Sequence, residues 1–349
     1  MEVVTKVEEK EWKKFIDLCD NATIYHTPEW KKLLEYTFNY EPYYLFAKND
    51  SGEIVGLLPM FYVESKLGDD RLCCVPFAHE CGPIGDTHAS NILIEEGINL
   101  HRNMENGTKH MHVEIKDSVS KDFHLENTFS RYTLELSNIE ITWKLIHKSV
   151  RRYVKKSLEK VEISRSNCFI SKSKCIEDAE SFYQVNCKNK KDKGIIGHPK
   201  DFFLNLVRTM PGIDIYLAKL DDKIIGGLIS LSFKNKVFYG FGATDPQHID
   251  YHPLYGCLWK SIEDACLNDF KFYDFGIAPY NDAGMTSFKK RWGTVEKKLY
   301  YSYYPNGAGE QQSNAGQYQI MTKVIRIMPM QIYKKFSDVY WTKHWARYI

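Results

Sequence analysis

The chain has 349 residues, of which 43% are hydrophobic, so it can form two domains with real cores and wholesale disorder is excluded. The formal net charge of +2 gives no global field that would point to DNA or a membrane. The longest apolar runs, IVGLLPMFYV and IIGGLISLSF, have about ten residues, whereas roughly 20 are needed to span a bilayer. We therefore expect a soluble protein that does not bind DNA.

Nine cysteines, an odd number, occur without any C-x-x-C spacing. The first residues, MEVVTKVEEKEWKKF, are charged and contain no apolar signal segment. Both features are typical of reduced thiols in an intracellular protein, so we expect a cytoplasmic location.

Apolar periodicity and turn residues predict an α/β (α+β) fold in which helices cover mixed sheets. In the first part of the chain they predict helices near 8–18, 28–38 and 87–104 and strands near 43–48, 53–63, 71–76, 110–116 and 131–136. In the second part they predict helices near 142–160, 175–189, 199–210 and 254–269 and strands near 213–219, 224–233, 236–242, 271–275 and 298–303. The expected layout is a domain at 1–138, a second domain at 139–304, a polar linker at 305–317 and a basic amphipathic helical tail at 318–349.

Two stretches repeat: YLFAKNDSGEIVGLLPMF (44–61) and IYLAKLDDKIIGGLISLSF (215–233). Each has an apolar strand ending in Ala-Lys, an acidic turn and a second strand entered through Ile-Val-Gly or Ile-Ile-Gly, which predicts a hairpin. Upstream of each hairpin a His/Pro element opens a helix, and Thr27 or Asp20 is expected to cap the first of these helices. Two copies about 170 residues apart predict two domains of the same topology.

Four segments, together with this repeat, resemble a known family: HTPEWKKLLE (26–35), CGPIGD (81–86), KSVRRYVKKSLEKVEI (148–163) and YDFGIAPYNDAGMTSFKKRWG (273–293). The chain resembles the Fem-type aminoacyltransferases, which have tandem GNAT-type acyltransferase domains and add amino acids from aminoacyl-tRNA to peptidoglycan precursors. It is also similar to the related BioF2-like acetyltransferases of polysaccharide and cell-surface gene sets. The resemblance implies two tandem acyltransferase-like domains and transfer of an acyl group to an amine.

The segment 273–293 predicts a strand, a loop and a helical turn. Asp274 and Gly276 are expected to end the strand, so that loop 277–285 lies at the edge of the sheet where α/β folds place ligands. Asp274 is therefore a candidate for substrate binding.

Acyl transfer to an amine builds negative charge on the carbonyl oxygen, and a fixed cation stabilises that charge. The resemblance assigns this role to Lys289, with Phe288 packing inward and bordering the substrate. The alternative is that Lys289, Lys290 and Arg291 form a solvated helix face.

Asp86 ends the CGPIGD segment, directly after a Gly-Pro turn. The resemblance makes it the candidate for holding the acceptor ammonium and taking its proton, as a carboxylate can. An equally good position for Asp86 is the cap of the helix near 87–104.

The helix near 142–160 carries seven cations against Glu159: Lys144, Lys148, Arg151, Arg152, Lys155, Lys156 and Lys160. Most of them share one face, which could neutralise the phosphates of a diphosphate-linked acceptor or of tRNA. Arg151 and Lys155 are the candidates for substrate binding, and a solvated charged face is the alternative.

Tyr251, His252 and Tyr255 cluster at the start of the helix near 254–269, where they either bind the acceptor through hydrogen bonds or pack in the core. No R/Q-x-x-G-x-G/A string, the usual coenzyme A pyrophosphate site, occurs in the chain. The donor is therefore expected to be aminoacyl-tRNA or, as an alternative, an acyl-coenzyme A. Because the donor is already activated, no metal or redox cofactor is expected.

The tail 318–349 places six Lys or Arg residues among Ile, Met, Tyr and Trp, with Asp338 opposing them. Such basic amphipathic helices either lie on anionic lipid surfaces, here at the inner face of the membrane, or dock on the parent domain.

The sequence thus predicts an acyl or aminoacyl transferase that acts on an amine of a peptide-, sugar- or lipid-linked cell-envelope precursor. Two alternatives stay open. One is an acyl-coenzyme A-dependent N-acyltransferase of surface-polysaccharide biosynthesis. The other is a catalytically inactive tandem module that only binds its ligand.

Overall fold

Helices and short strands alternate along the chain in a computed structural model that describes residues 1–64, 70–104, 111–119, 123–305 and 315–342. The helices are α1 (Glu9–Leu18), α2 (Pro28–Phe38), α3 (Thr87–Met104), α4 (Ile139–Leu145), α5 (Lys148–Lys160), α6 (Lys172–Lys193), α7 (Lys200–Thr209), α8 (Pro253–Leu267), α9 (Ala283–Lys290), α10 (Ala315–Ile327) and α11 (Met330–Thr342). A 3-10 turn spans Ile24–His26, and a 3-10 segment with a kink at His248 spans Pro246–Tyr251.

The strands are β1 (Glu2–Val4), β2 (Glu41–Pro42), β3 (Leu45–Lys48), β4 (Ile54–Leu58), β5 (Met60–Val63), β6 (Asp70–Cys74), β7 (Ile84–Gly85), β8 (Met111–Ile115), β9 (His124–Glu135), β10 (Glu162–Asn167), β11 (Ile213–Leu220), β12 (Lys223–Phe233), β13 (Lys236–Thr244), β14 (Phe272–Pro279) and β15 (Val295–Tyr304). The expected α/β class, with mixed sheets and C-terminal helices, is confirmed.

The contacts divide the chain into two units. The first contains Met1–Thr128, Leu299–Gln312 and Val339–Ile349, and the second contains Phe129–Lys298 and Ser313–Asp338. The strand predicted at 131–136 therefore lies in the second unit, not in the first copy. Most of the predicted linker 305–317 and the last seven residues of the predicted tail lie outside the described residues.

In the first unit, one sheet has the order β1-β3-β4-β7, and further strands follow the order β15-β8-β6-β5-β2. β6 and β8 are parallel, whereas β5 and β6 are antiparallel, so the sheet is mixed. Helix α2 begins as the sequence predicts: the Thr27 hydroxyl accepts the N–H of Trp30, and Pro28 occupies the first turn.

In the second unit, the strand order is β10-β11-β12-β13-β14-β9. All neighbours are antiparallel except β13 and β14, which are parallel. The buried core lies between this sheet and helices that include α5 and α8, and its largest fully buried side chains include Trp292, Tyr132 and Tyr273.

The two predicted hairpins have the same register. Ala47 pairs with Gly56 in the first hairpin, and Ala218 pairs with Gly226 in the second. The register shifts directly after the alanine in both copies, at Ala47/Lys48 and at Ala218/Lys219. A bulge at the same place in both hairpins shows that the two stretches fold in the same way, as the repeat predicts.

The helix that follows each hairpin glycine docks against it. A Cβ atom on Gly56 would lie 2.8 Å from Cβ of Ala89 in α3, and a Cβ atom on Gly226 would lie 2.6 Å from Cβ of Pro253 in α8. Glycine is required at both positions because the helix approaches the sheet backbone too closely for a side chain.

Three expectations about local structure are wrong. Pro59 divides the strand predicted at 53–63, so that β4 pairs with β3 and β7 whereas β5 pairs with β2 and β6. His147 divides the helix predicted at 142–160, because its ring nitrogen accepts the N–H of Ser149 and starts α5 anew. Cys168 and Cys175 form a disulfide where reduced thiols were expected.

The close contact between hairpin and helix can be tested by substitution. Gly226→Ala should lower the free energy of unfolding by about 1–3 kcal/mol, because the new methyl group overlaps Pro253. Gly284→Ala is the control, since its Cβ would meet nothing closer than 3.4 Å and alanine favours helix α9. Chemical denaturation of the three proteins measures the effect, and an unchanged midpoint for Gly226→Ala would show that the contact is not tight.

Candidate active site

Helix α9 carries a lysine that points into the sheet. Asp282 caps this helix by accepting the N–H of Met285. On the buried side, only 7% of Lys289 is exposed, and its Nζ donates hydrogen bonds to the carbonyls of Phe275, at 2.7 Å, and Ile277, at 2.5 Å. These bonds use two of its three hydrogens. The Tyr132 ring centroid lies 5.8 Å from the same nitrogen.

Burial lowers the pKa of Lys289 to about 8, although the nearby Asp274 and Asp282 carboxylates oppose the shift. Near neutral pH the side chain is therefore mostly an ammonium, and it loses that charge within the range in which many enzymes work. A buried ammonium of this kind can stabilise an oxyanion. The pH dependence of the rate can show whether Lys289 is protonated.

A bulge in β14 presents the two carbonyls that bind Lys289. The register between β14 and β9 shifts between Asp274 and Ile277, and Gly276 has a φ of +68°. Asp274 holds the bulge: one carboxylate oxygen accepts the N–H of Gly276, and the other accepts two N–H groups of Arg131.

The sequence prediction that Asp274 ends the strand is wrong, because β14 continues to Pro279. Only 2% of Asp274 is exposed, and its carboxylate is bonded within the fold. The side chain acts on the shape of the strand, and its predicted contact with substrate stays a prediction.

A cluster of polar side chains, Tyr132, Lys290 and Glu296, lies beside α9. Tyr132 donates a hydrogen bond to Glu296, and Lys290 pairs with the same carboxylate at 2.7 Å. The hydrogen bonds from Lys290, Ser130 and Tyr132 lower the pKa of Glu296 to about 2. Lys290 is thus an exposed ion-pair partner, which distinguishes it from its buried neighbour Lys289.

Aromatic rings connect α9 to the start of α8 and to the basic helix. Tyr255 lies edge-on to Phe288, with ring centroids 5.8 Å apart, and it also contacts Tyr153 of α5 at 5.2 Å. The ring of His252 lies 4.2 Å from that of Tyr153. The predicted residues His252, Tyr255 and Phe288 are therefore brought together in the second unit.

His252 precedes α8 in a left-handed conformation, with φ at +52°. Burial lowers its pKa, as do the positive charges of Lys156 and Arg152, while Asp250 has the opposite effect. The imidazole is neutral near neutral pH and can accept a proton or a hydrogen bond. Tyr251, like Tyr255 and Phe288, packs partly buried against the core of the second unit.

The cations of α5 line an open depression of about 540 Å³. Its lining residues are Trp143, Lys148, Arg151, Arg152, Lys155, Lys156 and Glu159. The predicted pair Arg151 and Lys155 therefore lies on one surface, next to Tyr153 and its ring contacts. Five cations against one carboxylate make this depression suited to phosphate groups.

The parallel strands β13 and β14 separate near this cluster. Lys236–Phe238 of β13 pair with Phe272–Asp274 of β14. Beyond these residues the two strands are not paired with each other, although β13 continues to Thr244 and β14 to Pro279. The rings of Tyr239 and Phe275 are stacked where the pairing ends, with centroids 6.3 Å apart. Beyond this point the backbone groups of β13 and β14 that would face each other are not paired in the sheet.

Asp86 lies in the first unit, whereas the other predicted site residues lie in the second. Its Oδ1 accepts the N–H of Ala89 at 2.7 Å, so it caps α3 as one of the two readings of the sequence expects. The second copy has Asp245 at the matching place, directly after the residue that pairs with the hairpin glycine. Asp245 also accepts a backbone N–H at the start of its turn, from Gln247.

Sequence analysis missed three side chains of this site: Arg131, Tyr132 and Tyr153. The first two lie on β9, which the sequence analysis placed in the first domain. Tyr153 could have been found, since it is the one aromatic residue in the basic segment KSVRRYVKKSLEK (148–160).

Within the described ranges, no three His, Cys, Asp or Glu side chains are placed to hold a metal ion. In the same part of the chain, every helix is too short or too polar to cross a lipid bilayer.

Residues 147–290 match the family described as "Acetyltransferase (GNAT) domain", and this segment holds α5, the aromatic cluster and Lys289. This segment of the second unit is therefore a GNAT-type acetyltransferase domain. No curated protein matches the sequence.

The fold is that of FemX, whose crystal structure superposes with a TM-score of 0.65 at 14% identity, covering 92% of this chain and 100% of that one. The C-terminal domain of a putative lysylphosphatidylglycerol synthetase from Agrobacterium fabrum gives 0.55 at 9% identity, covering 91% of this chain and 95% of that one. A conserved protein of unknown function from Bacteroides thetaiotaomicron gives 0.54 at 11% identity, covering 85% and 97%. The expected Fem-type tandem fold is confirmed.

The cap at Asp86 can be tested by comparing two substitutions. Asp86→Ala should lower the free energy of unfolding by about 1 kcal/mol, because the N–H of Ala89 loses its acceptor. Asp86→Asn should change it much less, since asparagine caps helices as well as aspartate does. Chemical denaturation measures both, and equal losses in the two variants would show that charge, not capping, stabilises α3.

Proposed function

We propose that this acyltransferase moves an activated acyl or aminoacyl group to an amine of a cell-envelope precursor, on the cytoplasmic side of the membrane. The precursor is peptide-, sugar- or lipid-linked, and the donor is aminoacyl-tRNA or acyl-coenzyme A, with no metal or redox cofactor. The observation that carries this proposal is the chain of ring contacts from Tyr153, beside the basic depression on α5, through Tyr255 to Phe288 of α9, the helix that also holds Lys289.

The charge of the depression supports a phosphate-bearing substrate. Envelope precursors that are linked through a diphosphate, the backbone of tRNA and the pyrophosphate of coenzyme A all present phosphates to such a surface. Arginine binds them through two parallel hydrogen bonds, and lysine acts as a point charge. Arg151 and Lys155 would hold these groups while the reacting carbonyl lies nearer α9.

The chemistry requires a neutral amine and a stabilised oxyanion. The amine nitrogen attacks the carbonyl carbon of the donor, an amide bond forms, and the ester or thioester bond breaks as the leaving oxygen or sulfur takes a proton. Lys289 would stabilise the negative charge on the carbonyl oxygen. Neutral His252, with Tyr251 and Tyr255, would bind the acceptor. Asp86 would take the proton of the acceptor ammonium, the role that the sequence resemblance gives it.

Two structural neighbours support an envelope substrate. FemX has the same fold, and lysylphosphatidylglycerol synthetase is named for a product that joins lysine to a phospholipid. A second candidate, an N-acyltransferase that uses acyl-coenzyme A on a surface-polysaccharide sugar, is favoured by the separation of β13 and β14. An extended amide-bearing donor could bond to the strand backbone there.

Donor choice decides between these candidates. The purified chain is incubated with charged tRNA or with acyl-coenzyme A, each with candidate amines, and amide products are measured by mass spectrometry. Product from charged tRNA alone supports aminoacyl transfer, and product from acyl-coenzyme A alone supports the second candidate. Ligand binding without any product would instead indicate an inactive binding module.

The role of the basic depression predicts salt-sensitive binding. Arg151→Ala and Lys155→Ala should each weaken the binding of tRNA or of a diphosphate-linked precursor by roughly 5–10-fold, and the dependence on salt should become shallower. Lys160→Ala is the matched control, since Lys160 lies on the same helix but does not line the depression. Binding that does not change with salt, or equal losses in all three variants, would contradict the phosphate role.

The role of Lys289 predicts a large kinetic effect. Lys289→Met should lower turnover by roughly 100-fold or more, whereas Lys290→Met, which removes only an exposed ion pair, should change it little. Because the pKa of Lys289 is about 8, a rate that needs the ammonium should fall as the pH rises above 8. Single-turnover rates measured from pH 6.5 to 9.5, a range of about three pH units around the pKa of Lys289, test this dependence. If the rate instead rises through pH 8, and does so only when Lys289 is present, the lysine acts as a base and the oxyanion role is contradicted.

A further inference from the structure

Helix α10 and the part of α11 up to Asp338 belong to the second unit and pack on it by one face. Ile325 and Tyr333 are buried, and the Tyr333 hydroxyl donates a hydrogen bond to the carbonyl of Ile195 and accepts the N–H of Gly197, both at 2.9 Å. Gly194 ends α6 so close to α10 that a Cβ atom would lie 2.4 Å from Thr322. These helices are therefore fixed on the unit, which is one of the two alternatives left open by the sequence.

The opposite face is apolar and exposed. Ile320, Val324 and Ile327 follow one another at the helical spacing i, i+4 and i+7 of α10, and Ile332 is exposed on α11. Their exposed fractions are 65%, 47%, 83% and 55%. Three large aliphatic side chains that avoid the core, at the positions expected of one face of α10, form an apolar patch rather than scattered exceptions.

Cations border this apolar surface. Lys323 and Arg326 on α10 and Lys335 on α11 are exposed. The segment from Ala315 to Ser337 contains no Asp or Glu. We call these three cations and the four aliphatic residues the outer face of α10 and α11.

We propose that the outer face of α10 and α11 binds the surface of an anionic lipid bilayer. Aliphatic side chains enter the boundary between headgroups and acyl chains, while lysine and arginine bind lipid phosphates at the same depth. A protein partner would need acidic residues placed between apolar ones, whereas an anionic membrane offers both chemistries over any area. This inference does not depend on the proposed function, although an acceptor held in a membrane would make the two compatible.

Sedimentation of the full chain with vesicles tests the proposal. Three cations give about a 100-fold preference for phosphatidylcholine vesicles that contain phosphatidylglycerol over pure phosphatidylcholine, at low salt. Ile327→Asp should reduce this binding about 10-fold or more, because a carboxylate replaces an apolar anchor and repels the lipid phosphates. Lys323→Glu should also reduce it and should weaken its dependence on salt.

The matched control is Ile170→Asp. Ile170 is 83% exposed, as Ile327 is, but it lies in the loop between β10 and α6. This variant should bind vesicles as the unchanged chain does, and melting curves should be the same for all variants. The proposal is overturned if the unchanged chain fails to bind anionic vesicles at low salt, or if Ile327→Asp and the control Ile170→Asp weaken binding equally. It is also overturned if Ile327→Asp only converts a dimer to a monomer in analytical ultracentrifugation.

Discussion

The contact of a helix with a hairpin glycine determines the architecture of each unit. In the first unit α3 begins against Gly56, and in the second α8 begins against Gly226. Because the helix rests directly on strand backbone, its first turn cannot rotate or shift without overlap. The residues just before the helix are therefore held in place, and they include Asp86 in one unit and His252 in the other.

A second constraint is the burial of a positive charge in the second unit. An ammonium removed from water is costly, and burial accordingly lowers the pKa of Lys289. The bulge of β14 offsets part of it by offering two carbonyls, and the ion pair of Asp274 with Arg131 keeps the bulge in shape. Backbone irregularity, buried carboxylate and buried ammonium form one arrangement, so the loss of any member affects the others.

Patterns within a few residues predicted much of the fold. The bounds of α2 and α3 agree with the sequence prediction, because capping residues and apolar periodicity are local properties. The paired hairpins were found because both strands and their turn lie in one short stretch. The bulge of β14 could not be predicted, since it depends on Arg131, which lies 143 residues away along the chain.

The candidate site was predicted in part for the same reason. Arg151, Lys155, His252, Tyr255 and Phe288 were each chosen from short motifs, and the structure brings them onto one side of the second unit. The ring contacts that connect these residues, and the internal hydrogen bonds of Asp274, are tertiary contacts. They join segments that are far apart in the sequence, so no local pattern predicts them.

The two capping aspartates have different surroundings. Burial raises the pKa of Asp245, but the hydrogen bonds from Lys188 and from the backbone outweigh it and leave the pKa below its usual value. Asp86 is exposed and has no such lysine within hydrogen-bond distance among the contacts described. After a duplication, selection can retain one copy of a residue, here Asp245, for stability alone. The other copy, here Asp86, is held in position by the same kind of cap and is available for change. In this protein the exposed copy is the one in which a new role could evolve without loss of the fold.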